Sequence, residues 1–403
     1  MSLNTTPAAE RIHIGFFGLR NAGKSSLVNR FTGQQISLVS EVKGTTTDAV
    51  KKTMELLPLG PVVIIDTAGF DDEGALGEMR VQATLKALNS CDIALLVTEN
   101  EELNEQENEL LELIKSKEIP YLIVHNKADL TEKQDGGKIY VSAKSGEGVE
   151  ALKETVARLL GGKTKEVRFV SDFINAGDTV IFVCPIDESA PKGRLILPQQ
   201  LAIRDVLDSG ALAYTVQPEQ LVQALQNLQT PPALVVTDSQ AFGRVMKMVP
   251  DSVPLTSFSI LMARYKGFLD NALNGAKALD SLADGAKVLI SEGCTHHRQC
   301  NDIGTVKMPK WLSGYTQKRL EFEFTSGHTF PEDLSKYDLI VHCGGCMLND
   351  AEMKNRRLAA QAQQVPFTNY GTVIAKMNGI LDRSIEILKK QKQPQRYAQN
   401  RKK

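Results

Sequence analysis

No run of about 18 apolar residues, the length that spans a bilayer as a helix, occurs in this 403-residue chain. The N-terminal stretch MSLNTTPAAERIHIGFFG lacks a basic segment followed by an uninterrupted apolar one, so no secretory leader is expected. Neither sign of charge dominates: 47 Lys and Arg stand against 48 Asp and Glu, a formal charge of -1. There is thus no global field for nucleic acid or anionic lipid, and neither partner is expected. Cytoplasmic location follows as the expectation. Cysteine is sparse, six in all, and a reducing compartment argues against a disulfide framework. No C-x-x-x-C-x-x-C run is present, which excludes radical-SAM chemistry by this chain itself.

What is present is an ordinary globular composition, 42% hydrophobic and 24% charged, too long for one core. Two or three domains are expected. Residues 8–163 alternate short apolar runs (IHIGFFG, VVIID, IALLVT, YLIVHN) with amphipathic stretches, the pattern of parallel strands buried on both faces. Gly161 to Glu166 reads as a linker. A second α/β block covers 167–258, without a phosphate loop or ligand cluster, and reads as an association module. A third covers 259–389. The basic tail, 390–403, reads as solvated and disordered. The expected fold class is α/β: a P-loop GTPase domain followed by two further α/β domains, the last holding the cysteine site.

GLRNAGKS, Gly18 to Ser25, fits G-x-x-x-x-G-K-[ST] between an apolar run and a helical stretch. Backbone N–H groups of Gly18, Asn21, Ala22, Gly23, Lys24, Ser25 and Ser26 would cradle phosphates, with Lys24 reaching the β and γ oxygens and Ser25 binding Mg2+. DTAG follows an apolar run, so Asp66 can reach the metal through water and the Gly69 N–H can sense a γ-phosphate. NKAD supplies Asn126, Lys127 and Asp129, whose carboxylate can accept from guanine N1–H and N2–H2. Ser142, Ala143 and Lys144 complete the base contact. Order and spacing of these motifs resemble the translation-factor-like GTPases, and the expected nucleotide is GTP.

In VKGTTTD, Thr46 is the expected Mg2+ ligand of a switch loop, with Thr45 next. Phe70 follows Gly69 where Ras-like proteins place a water-orienting Gln, so slow intrinsic turnover is expected. Asn21 together with GTTTD resembles the potassium-dependent branch of these GTPases, which includes the tRNA-modification GTPase MnmE. That resemblance implies K+ held partly by Asn21; by itself Asn21 is also a simple turn residue.

The remaining chemistry lies in the last third. Cys294, His296, His342, Cys343 and Cys346 form C-x-H, a long gap, then H-C-x-x-C, each part placed where a strand ends. Structural zinc, an iron–sulfur cluster and a redox dithiol at Cys343 and Cys346 all suit this pattern, and spacing does not separate them. Joined to the switch GTPase and the α/β middle block, CTHHRQCNDIGTVKMPKWL and HCGGC resemble the FeFe-hydrogenase maturation GTPases, the HydF family. The resemblance implies a 4Fe-4S cluster on Cys294, Cys343 and Cys346, a homodimer through the middle domain, and a scaffold that takes a diiron precursor from radical-SAM maturases to the FeFe-hydrogenase apoprotein. His296, His342 and Asp302 are the candidate fourth ligands. Cys300 reads as a spare thiol, and Cys91 and Cys184 as small core residues. The competing readings are a zinc-stabilised regulatory GTPase in RNA modification or ribosome assembly, and a binding module in which GTP hydrolysis is vestigial.

Overall fold

The computed structural model describes residues 7–33, 49–70, 75–130, 137–161, 168–186, 195–294 and 302–389, with main chain alone over 75–80. Thr45, Thr46, His296, Cys300 and the tail 390–403 lie outside the described residues. The chain separates into two compact units, Met1–Thr164 with Asn349–Asn355, and Lys165–Leu348 with Arg356–Lys403. Among the described residues, no helix is long and apolar enough to cross a membrane.

The first unit is built on six strands, β1 (Ile12–Phe17), β2 (Val50–Leu56), β3 (Gly60–Asp66), β4 (Ile93–Thr98), β5 (Tyr121–His125) and β6 (Ile139–Tyr140). They stand in the order β2-β3-β1-β4-β5-β6, with β2 alone antiparallel to its neighbour. The β4 run IALLVT is buried at every position, because parallel strands need cover on both faces. That cover comes from α1 (Lys24–Thr32), α2 (Ala75–Asn89), α3 (Glu105–Ser116) and α4 (Val149–Leu160). On α4 the buried residues Val149, Leu152, Val156 and Leu160 recur at helical spacing and join Ile14, Phe16 and Val124 in one core. At α3, Asn104 Oδ1 accepts from Glu107 N–H (2.9 Å) and Glu107 Oε2 from Asn104 N–H (3.0 Å), a capping box that fixes where the helix starts.

The second unit holds two four-stranded parallel sheets. One is made of β7 (Thr179–Val183), β8 (Leu212–Val216), β9 (Leu234–Thr237) and β10 (Leu255–Ser257); the other of β11 (Lys287–Glu292), β12 (Glu321–Ser326), β13 (Leu339–His342) and β14 (Phe367–Asn369). Their orders are β10-β9-β7-β8 and β12-β11-β13-β14, so each sheet runs second, first, third, fourth in chain order. The helices between are α5 (Leu197–Asp208), α6 (Leu221–Asn227), α7 (Phe242–Val245), α8 (Phe258–Tyr265), α9 (Leu269–Lys277), α10 (Met308–Thr316), α11 (Asp350–Ala362, counted with this unit from Arg356 on), α12 (Tyr370–Met377) and α13 (Leu381–Lys389).

The two halves repeat one another in detail. VPLTSFSILMARYKGFLD (253–270) and VPFTNYGTVIAKMNGILD (365–382) share Val, Pro, Thr, Ala, Gly, Leu and Asp at matched positions. The matched glycines, Gly267 and Gly379, both sit in the left-handed region at φ 74° and 69°. The residues after them close the same turn, Phe268 N–H to Ala263 O and Ile380 N–H to Ala375 O, each 2.9 Å. The halves also exchange helices: α9 packs on β14, and α13 on β10. A single core therefore runs through both sheets, from Ile181 and Val235 to Val288, Val341 and Val373.

Candidate nucleotide and thiol sites

The phosphate loop lies between β1 and α1. Gly18 has φ +144°, and a Cβ there would stand 2.2 Å from the Val97 carbonyl oxygen, so the loop admits no side chain at this position. Lys24 is buried, and its Nζ donates to the carbonyls of Gly18 (3.1 Å) and Leu19 (2.7 Å). Those bonds hold the ammonium over the loop that it would share with a nucleotide. Asn21 is exposed at φ 63°.

At the end of β3, Asp66 is buried and its carboxyl is raised above the ordinary value by desolvation. A hydrogen bond from Ser25 and the charges of Lys24 and Lys52 oppose that rise. A buried carboxylate beside the P-loop serine is what an Mg2+ ion would relieve. Phe70 N–H reaches Gly18 O (3.3 Å), so the loop through Gly69 closes against the P-loop. Sequence reasoning passed over Lys52, which is buried on β2 and donates to Asn29 Oδ1 (2.7 Å). Its own strand gives no signal, since lysine on an edge strand usually faces solvent.

The guanine motifs meet at the ends of β5 and β6. Asn126 Nδ2 donates to Ala22 O (3.0 Å), and its Oδ1 accepts from Ala143 N–H (3.1 Å), tying the base motif to the P-loop. Ser142 Oγ donates to Asp129 Oδ1 (2.6 Å), which lowers the Asp129 carboxyl and keeps it ionised to receive two N–H donors. Lys127, at φ 60°, pairs with Glu99. Lys144 follows Ala143 on the same loop, and Ser26 is exposed on the first turn of α1.

In the second unit, β11 ends at Glu292 and β13 at His342, so Cys294 and Cys343 leave adjacent strands of one sheet. The Cys343 sulfur accepts from Gly293 N–H (3.0 Å) and Gly345 N–H (3.3 Å). Burial raises all three thiols, and together with neighbouring sulfurs it takes Cys294 and Cys346 to about 12. Three thiols that oppose each other's ionisation form a donor set that becomes stable as thiolates when positive charge is placed among them. Its soft sulfurs fit an iron–sulfur cluster or zinc. Among the described residues, no group of three or more His, Cys, Asp or Glu side chains is placed so that it could hold a metal ion as it stands.

Of the candidate fourth ligands, His342 stands at the end of β13. It is fully buried, its Nε2 faces Arg356 Nη1 (3.0 Å) and its Nδ1 faces Cys343 O (2.8 Å). Both ring nitrogens thus lie within hydrogen-bond distance of the protein itself. Asp302 adds its charge to the Cys294 surroundings. Its Oδ2 accepts from Thr305 N–H (2.8 Å) and Thr305 Oγ1 (2.9 Å), capping a π-helical turn, Ile303–Lys307, that leads into α10. Gly304 in that turn would place a Cβ 2.5 Å from both Glu292 Oε1 and Tyr370 OH. Tyr370 donates to Glu292 Oε1 (3.2 Å), and burial first, then the Glu292 charge, push its hydroxyl well up. Glu292, Tyr370, Gly304 and Arg356 carry no sequence signal, since each lies in a segment that reads as ordinary strand, turn or helix.

Comparison with known proteins bears on both units. Residues 169–267 match the hydrogen maturase F dimerization domain and 270–387 the hydrogen maturase F tetramerization domain, together more than half of the chain. Residues 13–127 match the 50S ribosome-binding GTPase family. Among individual relatives are the tRNA modification GTPases MnmE of Nitrosomonas eutropha, 34% identical over 163 residues (38% of this chain, 36% of that protein), and of Legionella pneumophila, 35% over 168 residues (40% and 37%). The chain thus spans little more than a third of the length of these relatives.

Proposed function

Because the chain belongs to the hydrogen maturase F family, we propose that it is a GTP-hydrolysing scaffold for assembly of the FeFe-hydrogenase active site. In this reading Cys294, Cys343 and Cys346 hold a 4Fe-4S cluster, with His296, Asp302 or a small exogenous ligand at the fourth iron. A diiron precursor is the cargo, received from radical-SAM maturases and passed to the hydrogenase apoprotein in the cytoplasm. Matches named for dimerization and tetramerization support self-association, which we assign to 167–258 for the homodimer, with the cluster in 259–389.

The nucleotide site would act as a switch. Lys24 and the loop N–H groups bind phosphate, Ser25 and Asp66 hold Mg2+ with Thr46, and Asp129 selects guanine. Asn21 is the proposed K+ contact; turnover is slow because Phe70 cannot orient water. Exchange of partners would follow from the difference in affinity of the two nucleotide states, not from work done on the cluster. When bound, the cluster supplies an iron with an exchangeable coordination position. The chain's part is to supply the thiols and to donate two N–H groups to the Cys343 sulfur.

What supports this reading is that Cys294 and Cys343 follow the ends of the neighbouring strands β11 and β13, with the Gly293 and Gly345 N–H groups both on the Cys343 sulfur. Iron, sulfide and zinc analysis of anaerobically purified protein tests it. Near four irons and four sulfides per chain are expected; one tightly held zinc without sulfide would move the protein to the zinc-stabilised regulatory class. Potassium-stimulated GTP hydrolysis lost in Lys24→Ala is the matching result for the nucleotide site, and its absence would make that site a binding module.

A further inference from the structure

Behind the thiol site lies a buried cation. Arg356, on α11, is 3% exposed. Its Nη1 donates to Ser291 Oγ (3.3 Å) and His342 Nε2 (3.0 Å), its Nη2 to Gly327 O (2.6 Å), and its guanidinium carbon lies 5.1 Å from the Phe330 ring centroid. Ser291 and His342 are register partners on β11 and β13, the last strand pair before the cysteine loops. An arginine stays charged at any pH the fold survives. His342 Nε2 must therefore accept, which leaves Nδ1–H to donate to Cys343 O. The histidine of the H-C-x-x-C motif is in this way a neutral acceptor that orients the guanidinium.

A second cation acts on the thiols. Lys266 is 7% exposed and draws the Cys346 thiol down, as Arg356 does Cys343, against the larger effect of burial. Glu292 and Asp302 are the acidic groups that face the same thiols. Fixed charge in a region of low dielectric changes the relative energy of two charge states far more than it would in water.

We infer that Arg356, oriented by His342, is a positioning residue that sets the reduction potential of the cluster held by Cys294, Cys343 and Cys346, with Lys266 adding to the same field. The inference rests on the cluster reading above. One-electron reduction by an external reductant adds one negative charge to the site; neither Arg356 nor His342 gains or loses a proton. The buried guanidinium stabilises the reduced form more than the oxidised one, so its removal lowers the potential.

Redox titration of the full-length, anaerobically reconstituted protein with dithionite, read by EPR, tests this. Arg356→Met is expected to bind iron normally yet shift the reduction equilibrium at least tenfold toward the oxidised form, about 59 mV for one electron. Arg356→Lys should recover most of that shift. A merely structural role would lower cluster content and leave the potential of the remaining clusters unchanged, and that result overturns the inference. If Arg356→Met does not load, Lys266→Met decides: a shift in the same direction supports the field, and an unchanged potential refutes it. Wild type that binds zinc and no iron would remove the cluster reading, and this inference falls with it.

Discussion

The two sheets of the second unit are built alike and end differently. Each has the same strand order, the same proline-led final strand and the same glycine-closed helix turn. In the β11–β14 half, the residues after the first and third strands include Cys294, Cys343 and Cys346. In the β7–β10 half, pairing of Val183 with Thr237 matches that of Ser291 with His342. Cys184 then stands where Glu292 does, and Asp238 where Cys343 does. Architecture is therefore shared while chemistry belongs to a few loop residues at strand ends. The difference also separates what folding needs from what the site needs. His342 and Thr237 are both fully buried, yet the first orients a guanidinium and the second is ordinary core.

The largest effect that would sharpen this comparison is at the paired thiols. Cys343→Ala should abolish iron retention, while Cys184→Ala should leave it unchanged and cost about 1 kcal/mol in denaturant melts for a small buried group. Equal loss of iron in both variants would break the comparison.

Next is the crossing of the matched helices α8 and α12. Gly371 is the counterpart of Ser259, and a Cβ at Gly371 would lie 2.6 Å from Ser259 Cβ and 3.2 Å from Ile260 N. Gly371→Ala is expected to destabilise the protein by about 1–3 kcal/mol in urea titration, and a companion Ser259→Gly should recover part of that loss. The matched caps give a smaller difference. Asn369 accepts from Thr372 N–H (3.0 Å) and donates to Ser259 O (3.0 Å), whereas Ser257 accepts one bond from Ile260 N–H (3.3 Å). Asn369→Ala should cost about 2 kcal/mol and Ser257→Ala about 1 kcal/mol, a ranking that thermal melts of the two variants would check.

The smallest effect contrasts the nucleotide unit with the duplicated one. Burial raises the Asp66 carboxyl in the folded state, so the folded chain binds more protons than the unfolded one just above the ordinary carboxylate range. Stability from this group consequently falls as pH rises through the raised value. Asp66→Asn should stabilise nucleotide-free protein modestly at neutral pH, with the gap closing as pH falls toward that range, while its Mg2+-dependent hydrolysis is lost. Melting temperature against pH for both proteins reads this directly.

The P-loop and the NKAD and SAK motifs were legible because phosphate and guanine recognition use short contiguous segments whose residue types are fixed by backbone geometry. Strand runs such as IALLVT were legible because burial on both faces leaves almost every position apolar. The duplication was written at 253–270 and 365–382, but hydrophobic periodicity passes over it, since the halves match at the junctions and diverge elsewhere. Arg356 was hidden for another reason. The first of two adjacent arginines within the polar stretch EMKNRRLAAQ reads as solvated, and only tertiary packing against Ser291, His342 and Phe330 gives it a role. The same packing gives the His342 ring its partner at Nε2.

The central claim, that the thiols at the ends of β11 and β13 hold a redox-active cluster, is met most directly by EPR of the anaerobically reconstituted, dithionite-reduced protein. The account predicts a one-electron-reduced 4Fe-4S signal near one spin per chain, retained in Cys184→Ala and absent in Cys343→Ala. A silent reduced spectrum with zinc bound at the cysteines would contradict it.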